Sequence, residues 1–373
     1  MTPDLNSLLN TESFQAVAQS RLSKMAFDYY RSGAWGEWTL QANMDAWKKI
    51  RLLPRALVDV SQRNSASDLL GMHMAFPLLI APTAMQCMAD PEGEVATARA
   101  AAQAGVPMVL SSLSTRSLED VVSAANANAN ANANANANAS MVMQIYISSD
   151  RGFTKALAQR AQAAGCKALM VTVDTPVWGV RERDIHNSFC VPHGMSIVNL
   201  QRPSQPTGHS GSGMGQALGW TIDASLTWKD LDLIRQSVNI PIMVKGILRA
   251  DDAGRAFDQG ASAVVVSNHG GRQLDGAAPT AEALPAIARA VADRGPIIVD
   301  GGIRRGVDIV RALAMGASAV QVGRPILWGL AAGGQAGVER VLHILAHEFD
   351  LALALSGCPN VKAVTADLIC RQA

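Results

Sequence analysis

The nine residues Ser267-Asn268-His269-Gly270-Gly271-Arg272-Gln273-Leu274-Asp275 follow the apolar run AVVV. They set an imidazole and a guanidinium three positions apart across two glycines. An imidazole of near-neutral pKa can take a proton and later return it. A guanidinium presents a planar fork that suits a carboxylate. The glycines let the chain turn sharply enough for both groups to reach one ligand. A plain turn needs the glycines but neither His269 nor Arg272, so the pair reads as a base and an anion clamp. Two further stretches offer phosphate chemistry. Asp300-Gly301-Gly302-Ile303-Arg304-Arg305-Gly306 and Gly323-Arg324-Pro325 place glycines and arginines where helical patterns open. Glycines let backbone N–H groups approach a phosphate, and a helix N-terminus favours its charge. Each stretch alone reads equally well as a tight strand-to-helix turn; the two together favour a phosphate site.

Groups so far apart in the chain meet only if the fold collects them. Eight short apolar runs recur at 77–82, 107–112, 141–147, 168–174, 241–246, 263–268, 296–301 and 319–324, with amphipathic helical patterns between them. Continuous apolar strands alternating with helices predict a parallel sheet covered by helices. Eight such units over about 250 residues match an α/β fold of the (β/α)8 TIM-barrel type. A doubly wound open sheet is the alternative, but eight regular repeats without a GxGxxG turn weigh against it. The runs end in polar residues: Pro82-Thr83-Ala84, Ser111-Ser112, Gln144 and Tyr146, Thr172 and Asp174, Lys245, the His269 stretch, Asp300, and Gly323-Arg324. An unpaired buried charge is costly, so eight polar strand ends together predict a site at the C-terminal mouth. The loops after the seventh and eighth strands are the usual phosphate site of such a barrel.

Composition narrows the function from the other side. The chain has 373 residues, half of them apolar, and a formal net charge of +1, which weighs against a nucleic-acid surface. Its five cysteines include no CxxC pair, so neither a zinc knuckle nor a disulfide scaffold is expected. No basic-then-apolar leader and no run of about 18 apolar residues is present, which leaves the cytoplasm as the default location. His343 and His347 lack an HExxH pattern and read as a solvated helix face rather than a metal site. The expected organisation is one domain over 1–373, with a helical N-terminal extension at 1–76 and the barrel at 77–358. A Gly-, Pro- and Ser-rich segment at 185–226 follows the fourth strand and reads as a lid-like loop on the site face. In the Ala/Asn run at 124–140 no apolar face is offered and Asn competes for backbone hydrogen bonds, so a surface loop is expected there.

SNHGGRQLDG, DGGIRRGVDIVRAL, GRPILWGLAAGGQAGV, VTVDTP, LIAPTAM, PEGEVATARAAAQAG and FDYYRSGAWGEWTL resemble the FMN-dependent α-hydroxy acid oxidase/dehydrogenase family, which includes glycolate-, lactate- and mandelate-oxidising enzymes. The likeness runs from about Phe27 to Cys358, broken only at the Ala/Asn run and the long loop. It implies FMN and a small-molecule (S)-2-hydroxy acid oxidised to the 2-oxo acid; with no fused haem domain and no apolar membrane loop in the sequence, O2 yielding H2O2 is the expected acceptor. A dehydrogenase passing electrons to a quinone or cytochrome is the alternative, and a non-redox FMN isomerase a more distant one. A homo-oligomer, commonly a tetramer, is also implied, with no nucleic acid or membrane segment.

Within that resemblance His269 is the base. Asp174, from a nearby strand end, is suited to hold its other ring nitrogen. Arg272, seconded by Arg181, would hold the substrate carboxylate, with Tyr29 and Tyr146 on the carboxylate or hydroxyl. Lys245 would lie beside the flavin pyrimidine edge. Pro82, Thr83 and Ala84 would meet the isoalloxazine, with Ser112, Gln144, Thr172 and Ser267 around its polar edge. Asp300, Gly302, Arg304, Gly323 and Arg324 would take the ribityl chain and phosphate. Two points stay open: Tyr30 adjoins Tyr29 and either can face inward, and Arg181 can pair instead with Glu182 or Asp184. Leu113 stands where several small-substrate members carry tryptophan and should widen the pocket, while Trp178 refills some of it. A larger acid, mandelate or a hydroxymandelate, is the expectation.

Overall fold

The computed structural model describes residues 4–131, 139–201 and 222–370. The chain enters through helices α1 (Thr11–Arg21), α2 (Lys24–Arg31) and α3 (Trp38–Lys49), followed by an antiparallel hairpin of β1 (Ser67–Leu69) and β2 (Met72–Met74). Asn10 and Ser23 cap α1 and α2 by accepting from Ser13 N and Ala26 N, which satisfies N–H groups with no partner inside the helix. The extension expected to be helical therefore also carries a hairpin.

Eight parallel strands then close into a barrel: β3 (Leu78–Ile80), β4 (Met108–Leu110), β5 (Met141–Ile145), β6 (Ala168–Thr172), β7 (Ile242–Ile247), β8 (Ala263–Val266), β9 (Ile297–Val299) and β10 (Ala319–Val322), with β10 paired to β3. Helices α4 (Glu94–Ala104), α5 (Leu118–Ala131), α6 (Arg151–Ala163), α7 (Glu182–His186), α8 (Asp230–Arg235), α9 (Ala250–Asp258), α10 (Thr280–Val291), α11 (Gly306–Ala314) and α12 (Arg324–Leu355) follow in chain order. Within α12, Gly333 and Gly334 leave helical geometry and divide it. Each predicted run supplies one strand, and closure rules out the open doubly wound sheet.

The strands read as continuous apolar runs because both faces are buried. Side chains alternate between the two faces. Leu79, Val109, Val142, Met170, Met243, Val265, Ile298 and Ala319 pack with one another and with Leu69, Met72 and Met74 of the hairpin. The intervening Leu78, Ile80, Leu110, Val171, Val244 and Val266 pack in the larger cluster that includes the helices. The hairpin thus stops the lower end of the barrel with apolar side chains. Two steps upward along each inner face come Ala81, Ser111, Gln144, Thr172, Lys245, Ser267, Asp300 and Gln321. That change from apolar to polar marks the floor of the mouth.

Two expectations are revised. The Ala/Asn run is not a loop at its start, because α5 continues through Ala131 and buries Ala125 completely. There Asn126 Oδ1 accepts from Ala139 N at 3.0 Å and Asn128 Nδ2 donates to Arg99 O at 2.6 Å. Ala has the highest helix propensity, and these tertiary bonds use the Asn side chains that would otherwise compete with the helix. Residues 132–138 lie outside the described residues. Within 185–226, the end of α7 and a 3-10 turn at Val198–Leu200 are regular structure, while 202–221 lie outside the described residues. No helix among the described residues is long and apolar enough to cross a membrane.

Candidate active site

A cleft opens at the C-terminal mouth of the barrel. His269 enters it from the loop after β8 in a left-handed conformation (φ 59°), followed by Gly270 (φ 64°) and Gly271 (φ 75°). Three consecutive left-handed residues reverse the chain at once. A β carbon on Gly271 would stand 2.6 Å from Leu40 N, so this position needs glycine for space as well as for φ. A non-glycine residue at positive φ stores strain of the kind found at functional sites. Its neighbours hold it there: Ser267 Oγ accepts from His269 N at 3.1 Å, and the imidazole Nδ1 meets Asp174 Oδ1 at 2.8 Å.

Burial pushes the imidazole below its ordinary pKa, against the pull of the Asp174 carboxylate. For Asp174, burial acts upward but is outweighed by His269 and Lys245, so the carboxyl stays below its usual range. The pair therefore rests as neutral imidazole and carboxylate, which leaves Nε2 free to accept a proton. Asp174 is behind the imidazole and does not line the cleft.

Arg272 and Arg324 are gripped by the N-terminal extension. Arg272 Nη1 donates to Tyr29 O and Ser32 O, both at 2.8 Å. Arg324 donates to Tyr30 O (3.0 Å), Ser32 O (2.9 Å) and Gly270 O (3.1 Å). Both guanidiniums sit at the C-terminal end of α2, where the carbonyls carry partial negative charge. Tyr29 resolves the tyrosine ambiguity. Tyr30 spends its hydroxyl on Met85 O at 2.6 Å. Tyr29 stacks on Phe189 (4.4 Å between centroids) and lies 5.1 Å from the Arg272 guanidinium carbon. Arg181 lines the same cleft and pairs with Asp184 at 2.7 Å. Tyr146, Leu113 and Trp178 complete this side, Trp178 meeting Tyr146 edge-on at 5.8 Å.

The other half of the cleft suits a flavin mononucleotide. Lys245 is buried, donates to Ser267 Oγ at 3.0 Å and stands 3.5 Å from Asp300. Gln144 Nε2 donates to Thr172 Oγ1 at 3.0 Å and its Oε1 accepts from Ser112 N at 3.1 Å. Pro82, Thr83, Ala84, Gly302, Arg304, Gly323 and Arg324 line the same space. Arg304 and Arg324 make no ion pair with a carboxylate among the described residues, and burial lowers the pKa of both. Two desolvated guanidiniums with no carboxylate in ion-pair contact among the described residues fit a phosphate at that end. Asp300 Oδ1 and Gln321 Oε1 are buried without a hydrogen-bond partner among the described residues, as polar atoms awaiting a polar ligand would be. The residues present fit FMN.

Four placements differ from expectation. Ser112 and Ser267 do not line the cleft: Ser112 is one step out of inward phase and braces Gln144, while Ser267 braces Lys245 and His269. The start of α11 is not free for a phosphate. Arg304 N and Arg305 N donate to Asp308, and Gly306 N donates to Glu348. Gln321 lines the cleft although the sequence reading does not place it there, and Ser111, read only as a polar strand end, lines it beside Gln144. Counting by twos from Val109 and Ala319 finds both.

Comparison with known proteins agrees with this geometry. The chain matches the FMN-dependent dehydrogenase family over residues 18–371. It is 49% identical to the L-lactate oxidase of Nostoc sp. over 363 residues, covering 96% of this chain and 97% of that protein. Identity to glycolate oxidase 1 of Zea mays is 42% over 363 residues, covering 97% and 95%. The crystal structure of mandelate oxidase with (S)-2-phenylpropionate matches with a TM-score of 0.86 at 36% identity, covering 98% of each chain.

Proposed function

The chain belongs to the FMN-dependent dehydrogenase family, and on that footing we propose that it oxidises an (S)-2-hydroxy acid to the 2-oxo acid and passes the electrons to O2, releasing H2O2. The observation that carries the reading is His269, backed by Asp174, lining the same cleft as Arg272 and Lys245. Arg272 binds the substrate carboxylate with the part of its fork not used on α2, and Arg181 seconds it from the loop after β6. Tyr29 and Tyr146, whose hydroxyl pKa values burial raises, stay protonated and donate to the carboxylate or hydroxyl. His269 Nε2 takes a proton from the substrate, and Asp174 stabilises the imidazolium that results. FMN, when bound, supplies the two-electron acceptor. Lys245, held by Ser267 and Asp300, sets a cation where negative charge develops on that side of the cleft. Substrate loses two electrons and two protons: His269 takes one proton, FMN when bound would take the electron pair with the other, and O2 would then take two electrons and two protons to leave as H2O2.

Leu113, Tyr146 and Trp178 set the size of the acid. Leu113 leaves one side wide, and the Trp178 indole closes toward Tyr146. That closure, with the likeness to an L-lactate oxidase, supports a short aliphatic acid such as L-lactate. An aromatic acid of the mandelate class is the second reading, favoured by Leu113. The test is anaerobic mixing of the FMN-loaded protein with a panel of 2-hydroxy acids, followed at the flavin absorbance. L-lactate should bleach it fastest; faster bleaching by (S)-mandelate makes the aromatic reading the right one. Air added to the bleached protein should restore the colour and yield one H2O2 per acid consumed. Slow recovery with O2 but fast recovery with a quinone would replace the oxidase by a dehydrogenase.

A further inference from the structure

We propose that Gln273 is a positioning residue whose single amide locks the loop after β6 to the loop after β8, holding Asp174 behind His269 and Trp178 beside Arg272. The kinetic part of this proposal rests on the oxidase reading above; the geometric part does not. Gln273 Nε2 donates to Asp174 O and to Val177 O, each at 3.0 Å, and Gln273 Oε1 accepts from Gly179 N at 3.0 Å. Both donors and the acceptor oxygen of one primary amide are thus spent on a single six-residue stretch. The two loops also touch directly. A β carbon on Gly179 would stand 2.3 Å from Arg272 O and 2.8 Å from Gln273 Cα, so the chains cross at a distance only glycine permits. A second close approach backs Asp174 from below, where a β carbon on Gly246 would stand 2.6 Å from Asp174 Cβ.

The pinned positions decide what the amide controls. Asp174 is held at its carbonyl by Gln273 and at its carboxylate by His269, so residues four apart in the β8 loop grip it at both ends. Trp178 lies between Val177 and Gly179, both of which Gln273 holds, and its ring forms part of the cleft wall. Gln273 itself does not line the cleft and acts only through these two residues. Without its amide, Asp174 would stray from Nδ1 and lose its hold on the imidazolium, and Trp178 would discriminate less between side chains.

The test compares FMN-loaded wild type with Q273M, which keeps length without hydrogen bonds, and Q273S, which admits water. Histidine-selective NMR, with the His269 signal assigned through H269Q, gives the imidazole titration midpoint without any substrate. The midpoint should fall by ~0.5 pH unit or more in both variants, because burial is then less opposed by Asp174. The ratio of kcat/KM for L-lactate over (S)-mandelate should change at least ~3-fold, the scale of a modest change in pocket packing. A lower melting temperature with an unmoved midpoint and ratio would make Gln273 a structural staple only and overturn the proposal. If no 2-hydroxy acid bleaches wild-type flavin, the oxidase reading fails, while the NMR midpoint still decides the role of Gln273.

Discussion

At the lower end of the barrel, Leu69, Met72 and Met74 of the β1–β2 hairpin are buried against Leu79, Val142, Met243 and Val265. At the upper end the same inner faces present Lys245, Asp300, Gln144 and Gln321 beside His269 and Arg272. One end is closed by apolar packing that is complete within the chain. The other holds guanidiniums without an ion pair, and a carboxylate oxygen of Asp300 and the amide oxygen of Gln321 without donors, among the described residues. The difference separates stability from function along one set of strands, as barrels of this type do. The lower end favours folding through area removed from water. The upper end carries desolvation costs that only a ligand offsets.

The sharpest way to break this division is at the base. His269→Ala should cut flavin reduction by a 2-hydroxy acid ~10²–10⁴-fold, with FMN content and melting temperature little changed. Stopped-flow absorbance and a thermal melt check both halves, and a large loss of stability would show that the upper end also holds the fold. The reciprocal substitution is Met72→Ala. It should cost about 2–5 kcal/mol in denaturant unfolding and leave kcat near wild type; a kcat loss comparable to that of His269→Ala would erase the contrast between the ends.

Arg304→Met tests a buried guanidinium that has no ion pair among the described residues. FMN affinity should fall ~10–100-fold, the scale of one charged hydrogen bond, while the FMN-free protein should be no less stable. Fluorescence titration and melts of both forms read this, and a clearly less stable FMN-free variant would mean that Ile303 O, Glu12 and Asp308 already offset the burial of Arg304 inside the fold. The pH profile is a smaller effect. His269 is active as the neutral form and its pKa is held below 6.5, so kcat/KM should stay flat through neutrality. It should decline only as pH falls through that lowered value. Asp174→Asn should move the acid limb lower still and drop the plateau. The smallest change is Asn126→Ala, which removes the bond to Ala139 N at the lower end; about 1 kcal/mol of stability and no kinetic change are expected.

Much of the fold was legible because its signals are local. Eight apolar runs with polar ends placed β3 to β10 in order, and the His269–Arg272 loop announced itself by residue type alone. Ser111 and Gln321 were also legible in principle, since period-two counting from Val109 and Ala319 points both inward. The hairpin was harder to see: its three-residue strands are too short to show a period. The Ala/Asn run misled because Asn alone disfavours helix, and only contact with Arg99 and Ala139 reverses that.

By itself the sequence determined the order of strands and helices, the phase of the inner faces and the chemistry at their ends, because period, propensity and turn residues act over a few positions. The tertiary structure alone decided that Tyr30 and not Tyr29 spends its hydroxyl on a backbone carbonyl, that Arg181 answers to Asp184, and that the last carbonyls of α2 hold Arg272 and Arg324. Those contacts join residues as far as 294 positions apart. No local pattern encodes them, since each depends on how the N-terminal helices pack across the mouth of a barrel that must first close.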